Sequence, residues 1–169
     1  MFWVFFAICL VCFGLRTVYN YLKFERRRSF DSKGATAAIY LNMAVLWAAW
    51  FQMNFWDPVK TILPAWLRYT GLLFFAAGVL LFVLGDIAMR GLANEKELVT
   101  KSVFSKIRHP VYLGFIVWVI GFPIFMQSML TLASAVLWVA FFVYWKYLEE
   151  HELERRHPEY RAYKRRTWF

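Results

Sequence analysis

From Val111 to Trp145 the sequence runs for 35 residues without an acidic or basic side chain. A helix needs about 20 apolar residues to cross the ~30 Å hydrocarbon core of a bilayer, so this run is too long for one crossing and fits two short ones. Gly121, Pro123, Gln127 and Ser128 punctuate its middle and mark a turn. The run predicts a helical hairpin with arms over 111–127 and 129–147. Each arm is at the short end of the spanning range, which tilt or shelter by neighbouring helices accommodates.

Three more apolar runs precede it, over 2–22, 35–56 and 67–88. The first contains one charge, Arg16. No basic region comes before it, and Lys23-Phe24-Glu25-Arg26 follows in place of a small-residue cleavage site, so it is read as a retained span and not a signal peptide. At 61% hydrophobic and 21% aromatic, the 169-residue chain is too apolar for an ordinary small soluble domain, which is about half apolar. The expected fold is all-α: a polytopic membrane protein of about five transmembrane helices, one domain over 1–169, with the C-terminal hairpin and a further helix in the charged tail.

The charges behind the net +9 are clustered between the apolar runs. Loops 23–34 and 89–110 and the tail together hold 17 Lys and Arg, against only Lys60 and Arg68 on the other side. The positive-inside rule then places the 17 in the cytosol, with the N-terminus outside and the C-terminus inside. Basic clusters between apolar runs, with little polar surface, exclude a nucleic-acid partner. Cys9 and Cys12 are three apart on one helical face and read as packing residues, without the neighbours a metal would need. Gly71, Gly78 and Gly85 recur every seven residues and make a groove that admits another helix at close range.

Two polar clusters flank the hairpin. Arg108-His109-Pro110-Val111-Tyr112-Leu113-Gly114 stands at its entry, where proline suits a helix's first turn and the free N–H groups and Arg108 favour an anion. Tyr147-Leu148-Glu149-Glu150-His151-Glu152-Leu153-Glu154 stands at its exit, where carboxylates suit an ammonium or ribose hydroxyls. His109 and Tyr147 each lie 19 residues from Ser128, so antiparallel arms bring the clusters level. An amino-acid-like cofactor with a carboxylate, an ammonium and a sulfonium matches such a pair, the sulfonium being favoured beside aromatic faces such as Tyr112, Tyr144 or Trp145. Taken singly, each cluster has a plainer reading: Arg108 anchoring to lipid phosphate, and Glu149 and Glu150 pairing with Arg155 and Arg156.

At these residues the chain resembles the isoprenylcysteine carboxyl methyltransferase family and its phospholipid methyltransferase relatives. The shared pattern is Leu98-Val99-Thr100, then Arg108-His109-Pro110-x-Tyr112-x-Gly114, then Glu149-Glu150-x-x-Leu153, then Tyr160-x-x-Tyr163, in order over about 95–166. The resemblance implies an S-adenosylmethionine pocket at the cytosolic end, with a lipid-like acceptor entering from the membrane. It implies that His109, Tyr112, Glu149 and Glu150 hold the cofactor, that Leu98 and Val99 lend backbone contacts, and that Arg108 positions a carboxylate of cofactor or acceptor. Arg108 and Glu150 are thus the catalytic candidates, Glu150 or His109 serving as a base where the acceptor is an amine or thiol. The chain departs from the family at Ser102-Val103-Phe104-Ser105-Lys106, which lacks the usual glycine turn, and at His157-Pro158.

Three other readings fit parts of the pattern. Sterol reductases that use NADPH resemble the C-terminal half but have about twice the spans. A non-enzymatic membrane subunit needs no cofactor. Glu154-x-x-His157 has di-iron spacing but lacks a second such motif.

Overall fold

The computed structural model describes residues 1–24, 33–90 and 98–169, with the side chains of Lys33 and Arg90 excepted. The basic residues Arg26, Arg27, Arg28 and Lys96, and positions 95–97 of the expected cofactor half, lie outside the described residues. The apolar runs fold as α1 (Phe2–Phe24), α2 (Lys33–Phe55), α3 (Ala65–Arg90), α4 (Pro110–Phe125) and α5 (Met129–Arg156). A 3₁₀ turn (Ser102–Ser105) precedes α4, and a short α6 (Tyr160–Lys164) follows α5. Among the described residues there is no strand, only two isolated bridges.

Helices α1, α2, α3 and α5 are long and apolar enough to cross a membrane. Helix α4 is apolar but has 16 residues, a length of about 24 Å. Helix α5 is longer than the expected arm: it continues unbroken for 28 residues, so Glu149 and Glu150 sit on its last turns and not on a separate segment. Large apolar side chains face outward, among them Tyr40 (74% exposed), Leu73 (69%) and Val136 (78%). Such surface is tolerated where lipid is the solvent and is an aggregation hazard in water.

With lipid tails as apolar as the side chains, helix association depends on close packing. Helices α3 and α4 achieve it antiparallel. A Cβ added at Gly78 would come within 2.6 Å of the Gly114 carbonyl oxygen, and one at Gly71 within 2.8 Å of the Gly121 carbonyl oxygen. Gly85 meets the Val111 side chain, where an added Cβ would lie at 2.8 Å. The heptad of α3 thus has its partner in a second pair of glycines, also seven apart, on α4.

An aromatic core joins α1, α2, α4 and α5. Phe13 stacks on Trp138 with centroids 4.8 Å apart, and on Trp145 at 5.3 Å. Trp47 of α2 meets Phe115 at 4.9 Å. The Trp145 indole donates to the Thr17 hydroxyl at 2.8 Å, tying α5 to α1.

At the end where α4 turns into α5, the sequence's two isolated cations are both engaged. Lys60 Nζ donates to the Asn54 carbonyl at 2.6 Å and to Ser128 Oγ at 2.7 Å, and Arg68 Nε donates to the Phe125 carbonyl at 3.2 Å. Buried Asp57 accepts from the Thr131 N–H and hydroxyl, both at 2.7 Å. It caps α5 from a distant loop, satisfying an N–H that the helix itself leaves orphaned.

Gly78→Ala is expected to lower stability by roughly 1–3 kcal/mol, because the new methyl meets backbone that has nowhere to go. Gly14→Ala, with nothing within 4 Å of an added Cβ, is the control and is expected to be neutral or slightly stabilising. Thermal unfolding of both variants in one detergent checks this; equal midpoints would remove the seam from the account.

Candidate active site

The site begins with the dipeptide before Pro110. A residue preceding proline avoids the α region, and His109 has φ −125° and ψ 62°, with Pro110 starting α4. The Arg108 and His109 side chains converge on Glu150 near the end of α5. Arg108 Nε lies 3.2 Å from Glu150 Oε1, and His109 Nε2 lies 3.2 Å from the same oxygen. The Lys164 ammonium, from α6, sits 2.7 Å from Glu150 Oε2 and 3.0 Å from Glu154 Oε1. Glu150 is therefore a buried carboxylate shared by α4, α5 and α6. A buried ion pair repays its desolvation only when its remaining lone pairs are also satisfied. Here both oxygens are engaged.

The C-terminal tail closes over this hub as a strap. Arg108 Nη1 donates to the carbonyls of Lys164 at 2.9 Å and Thr167 at 2.5 Å. The Arg108 N–H donates to the Trp168 carbonyl at 3.0 Å, the Trp168 N–H to the Lys106 carbonyl at 2.8 Å, and the Tyr163 hydroxyl to the Phe104 carbonyl at 2.6 Å. Three of the five N–H donors of Arg108 are thus used within the protein.

Tyr112 and Glu149 form a second pair beside the hub. Tyr112 is one turn into α4, its ring 5.7 Å from that of His109, and the Glu149 carboxylate is close enough to act electrostatically on its hydroxyl. Leu98 lies apart from both pairs. It lines a 390 Å³ cavity between the loop before α4 and the tail, with Thr100, Ser105, Glu159, Tyr163 and Arg166. Val99 is half-buried and does not line that cavity. The volume is within the range of small-molecule sites.

The plainer alternative, Glu149 and Glu150 pairing with Arg155 and Arg156, is not what forms. Arg156 pairs with Glu152, and Arg155 contacts His151. Glu154 is taken by Lys164, and His157 Nδ1 lies 3.3 Å from Glu159 Oε1. Among the described residues no three His, Cys, Asp or Glu side chains gather as metal ligands.

Sequence reasoning missed four residues here. Lys164 and Thr167 carried no signal beyond following the Tyr160-x-x-Tyr163 pattern. Tyr160 is buried with a hydroxyl that lacks a partner among the described residues, near the charges of Glu150, Arg108 and Glu149. Burial pushes its phenol up, so it remains a donor at neutral pH. Arg16, noted only as a charge in the first span, is close enough to act electrostatically on Tyr112.

The fold and the site define a class: a helical integral membrane protein with a buried charged cluster at the ends of its last helices. Residues 66–159 match the phospholipid methyltransferase family, and the chain belongs to that family. It is 30% identical to human protein-S-isoprenylcysteine O-methyltransferase in an alignment covering 82% of this chain and 53% of the human protein. The chain thus spans about half the length of that curated relative. No solved structure matches the chain.

Hydrogen bonds to Glu150, and secondarily to Glu154, hold the Lys164 ammonium above its ordinary value of 10.5. A raised lysine pKa stabilises the folded form fully below the unfolded value and loses that contribution as pH rises through the folded one. The strap is expected to stay docked through neutral pH and to loosen only in alkali above 10.5. Lys164→Met is expected to loosen it already at pH 7. A fluorine label on Trp168 reports both; a signal unmoved by pH and by the substitution would assign docking to Arg108 alone.

Proposed function

We propose that the protein is an S-adenosylmethionine-dependent methyltransferase for a lipophilic acceptor, with the carboxylate of an isoprenylcysteine-like molecule as the favoured acceptor class. The single observation that carries this is the Arg108–His109–Glu150 convergence, which lies inside the family match. The family supplies the methyl-transfer chemistry, and the name of the human relative supplies the oxygen acceptor.

The residues fit such a cofactor. A carboxylate with an adjoining phenol, Glu149 and Tyr112, suits an ammonium or ribose hydroxyls. The buried Tyr160 hydroxyl without a partner among the described residues is a donor in want of an acceptor. Leu98 and Val99 are assigned to backbone contacts and His109, Glu149 and Tyr112 to the cofactor's polar groups, while Glu150, expected from the resemblance to hold the cofactor, has both oxygens taken by Arg108, His109 and Lys164. When bound, the cofactor supplies an electrophilic methyl group on a sulfonium.

The protein's own task is alignment and exclusion of water. Glu150 accepts from Arg108 and Lys164 at once, and a carboxylate between two cations takes up a proton poorly. That weighs against Glu150 as a general base and favours an acceptor already ionised at neutral pH. Glu150 then holds His109 and Arg108 in place, and Arg108 fixes the strap that shuts water out. The basic end is assigned to the cytosol, where its charges meet anionic lipid headgroups.

Calorimetry on detergent-purified protein tests the reading with S-adenosylhomocysteine and NADPH as separate titrants. Binding of the former alone is expected. Glu149→Gln and Tyr112→Phe are each expected to weaken it about tenfold, the scale of one lost hydrogen bond to a charged group. Binding of NADPH alone, or of neither titrant, would overturn the assignment.

A further inference from the structure

Arg16 is the one charge in the first apolar run, eight residues before the end of α1. A guanidinium at that depth is costly and as a rule faces a partner or a cavity. Its Nε is buried and lacks a hydrogen-bond partner among the described residues. Its Cζ lies 5.3 Å from the centroid of the Tyr19 ring, and its charge acts on Tyr112. One turn further along, Asn20 is 1% exposed, and its Nδ2 also lacks a partner among the described residues. Two adjacent turns of α1 thus present unspent buried donors, and the hydrogen bond from Trp145 to Thr17 holds this stretch of α1 against α5.

Arg108, the sequence's candidate for receiving a carboxylate, has committed three N–H groups to Glu150 and the strap. Arg16 has not. On the other side of Arg16, an apolar groove of 660 Å³ runs along α1 and α2, lined by Trp3, Val4, Ile8, Val11, Cys12 and Val45. Val4, Ile8, Cys12 and Arg16 follow one another at i, i+4 spacing, the spacing that forms a ridge on a helix surface. From Val4 to Arg16 the rise is about 18 Å. An apolar track thus ends one turn short of the Arg16 guanidinium, whose charge acts on Tyr112.

We propose that Arg16, with Asn20, receives the anionic head of the methyl acceptor, and that the groove along Val4, Ile8 and Cys12 takes its apolar chain. This rests on the methyltransferase reading and adds where the acceptor binds. Arg16 and Asn20 position the acceptor carboxylate beside the Tyr112 and Glu149 pair. They have no part in holding the cofactor.

The test uses the full chain in detergent and two probes, N-acetyl-S-farnesylcysteine and its carboxamide, with S-adenosylhomocysteine binding measured alongside. Wild type is expected to prefer the carboxylate probe at least about tenfold, and Arg16→Leu to erase that preference by weakening the carboxylate probe alone. Arg16→Lys is expected to retain part of it, because a point charge replaces the fork. Unchanged binding of S-adenosylhomocysteine to Arg16→Leu separates this role from a merely structural one. Equal wild-type affinity for the two probes, a preference that survives in Arg16→Leu, or a parallel loss of both probes and S-adenosylhomocysteine would overturn the assignment. Failure of the wild type to bind S-adenosylhomocysteine would instead remove the methyltransferase reading on which it rests.

Discussion

The backbone contact between α3 and α4 is the constraint on which the rest of the structure depends. In a lipid solvent no gain comes from hiding leucine against leucine, so a helix is held at a fixed depth by shape and by polar contacts. Helix α4 has 16 residues and no charged side chain within it to set its level. Its level is set by Gly78 against Gly114 and Gly71 against Gly121, with Gly85 receiving Val111. A seam of three steps along α3 leaves little freedom to slide. Because α4 cannot slide, its first residue, Pro110, and the Arg108–His109 pair before it are delivered at the height of the last turns of α5.

The second determinant is electrostatic. Glu150 collects Arg108, His109 and Lys164 from three segments of chain, all at 3.2 Å or less. Its value is not that of one surface ion pair, which is worth at most about 1 kcal/mol. Removing any partner would leave a buried charge under-satisfied, and that penalty is what makes the arrangement specific. The opposite end of the molecule solves a similar problem with different residues: Asp57 supplies the N-terminus of α5 with an acceptor, and Lys60 gathers the Asn54 carbonyl and Ser128. Helix α5 is thus fastened at both ends by charges from elsewhere in the chain, while its middle is packed by aromatic rings.

Much of this was legible in the residues. The uncharged 35-residue run and its central Gly, Pro, Gln and Ser predict two arms, and equal arm lengths predict that His109 and the glutamate pair come level. The heptad of glycines predicts a close neighbour, and the matching pair Gly114 and Gly121 would have named it. The extent of α5 was legible as well: Leu148 to Glu154 are good helix formers, and Pro158 marks where the helix has to stop. What sequence reasoning missed has a common physical character. Asp57 capping α5 from a separate loop, Arg108 holding the carbonyls of Lys164 and Thr167, and Trp168 pairing with Lys106 are all contacts of side chain or tail with distant backbone. Such contacts leave no periodicity, because carbonyl and N–H groups are present at nearly every residue.

The role proposed for Arg16 extends the site into the N-terminal half, beyond the stretch that carries the family pattern. The family match begins at residue 66, after α1 and α2. Yet α1 is held to α5 through Thr17 and Trp145, and Phe13 stacks on both Trp138 and Trp145. The first span is therefore packed directly onto the helix that carries the glutamate pair. The division runs along the molecule: the ends of α4 and α5 with the strap form the charged half, and α1 with α2 forms the apolar half. An acceptor that is apolar at one end and anionic at the other is the kind of molecule that satisfies both halves at once.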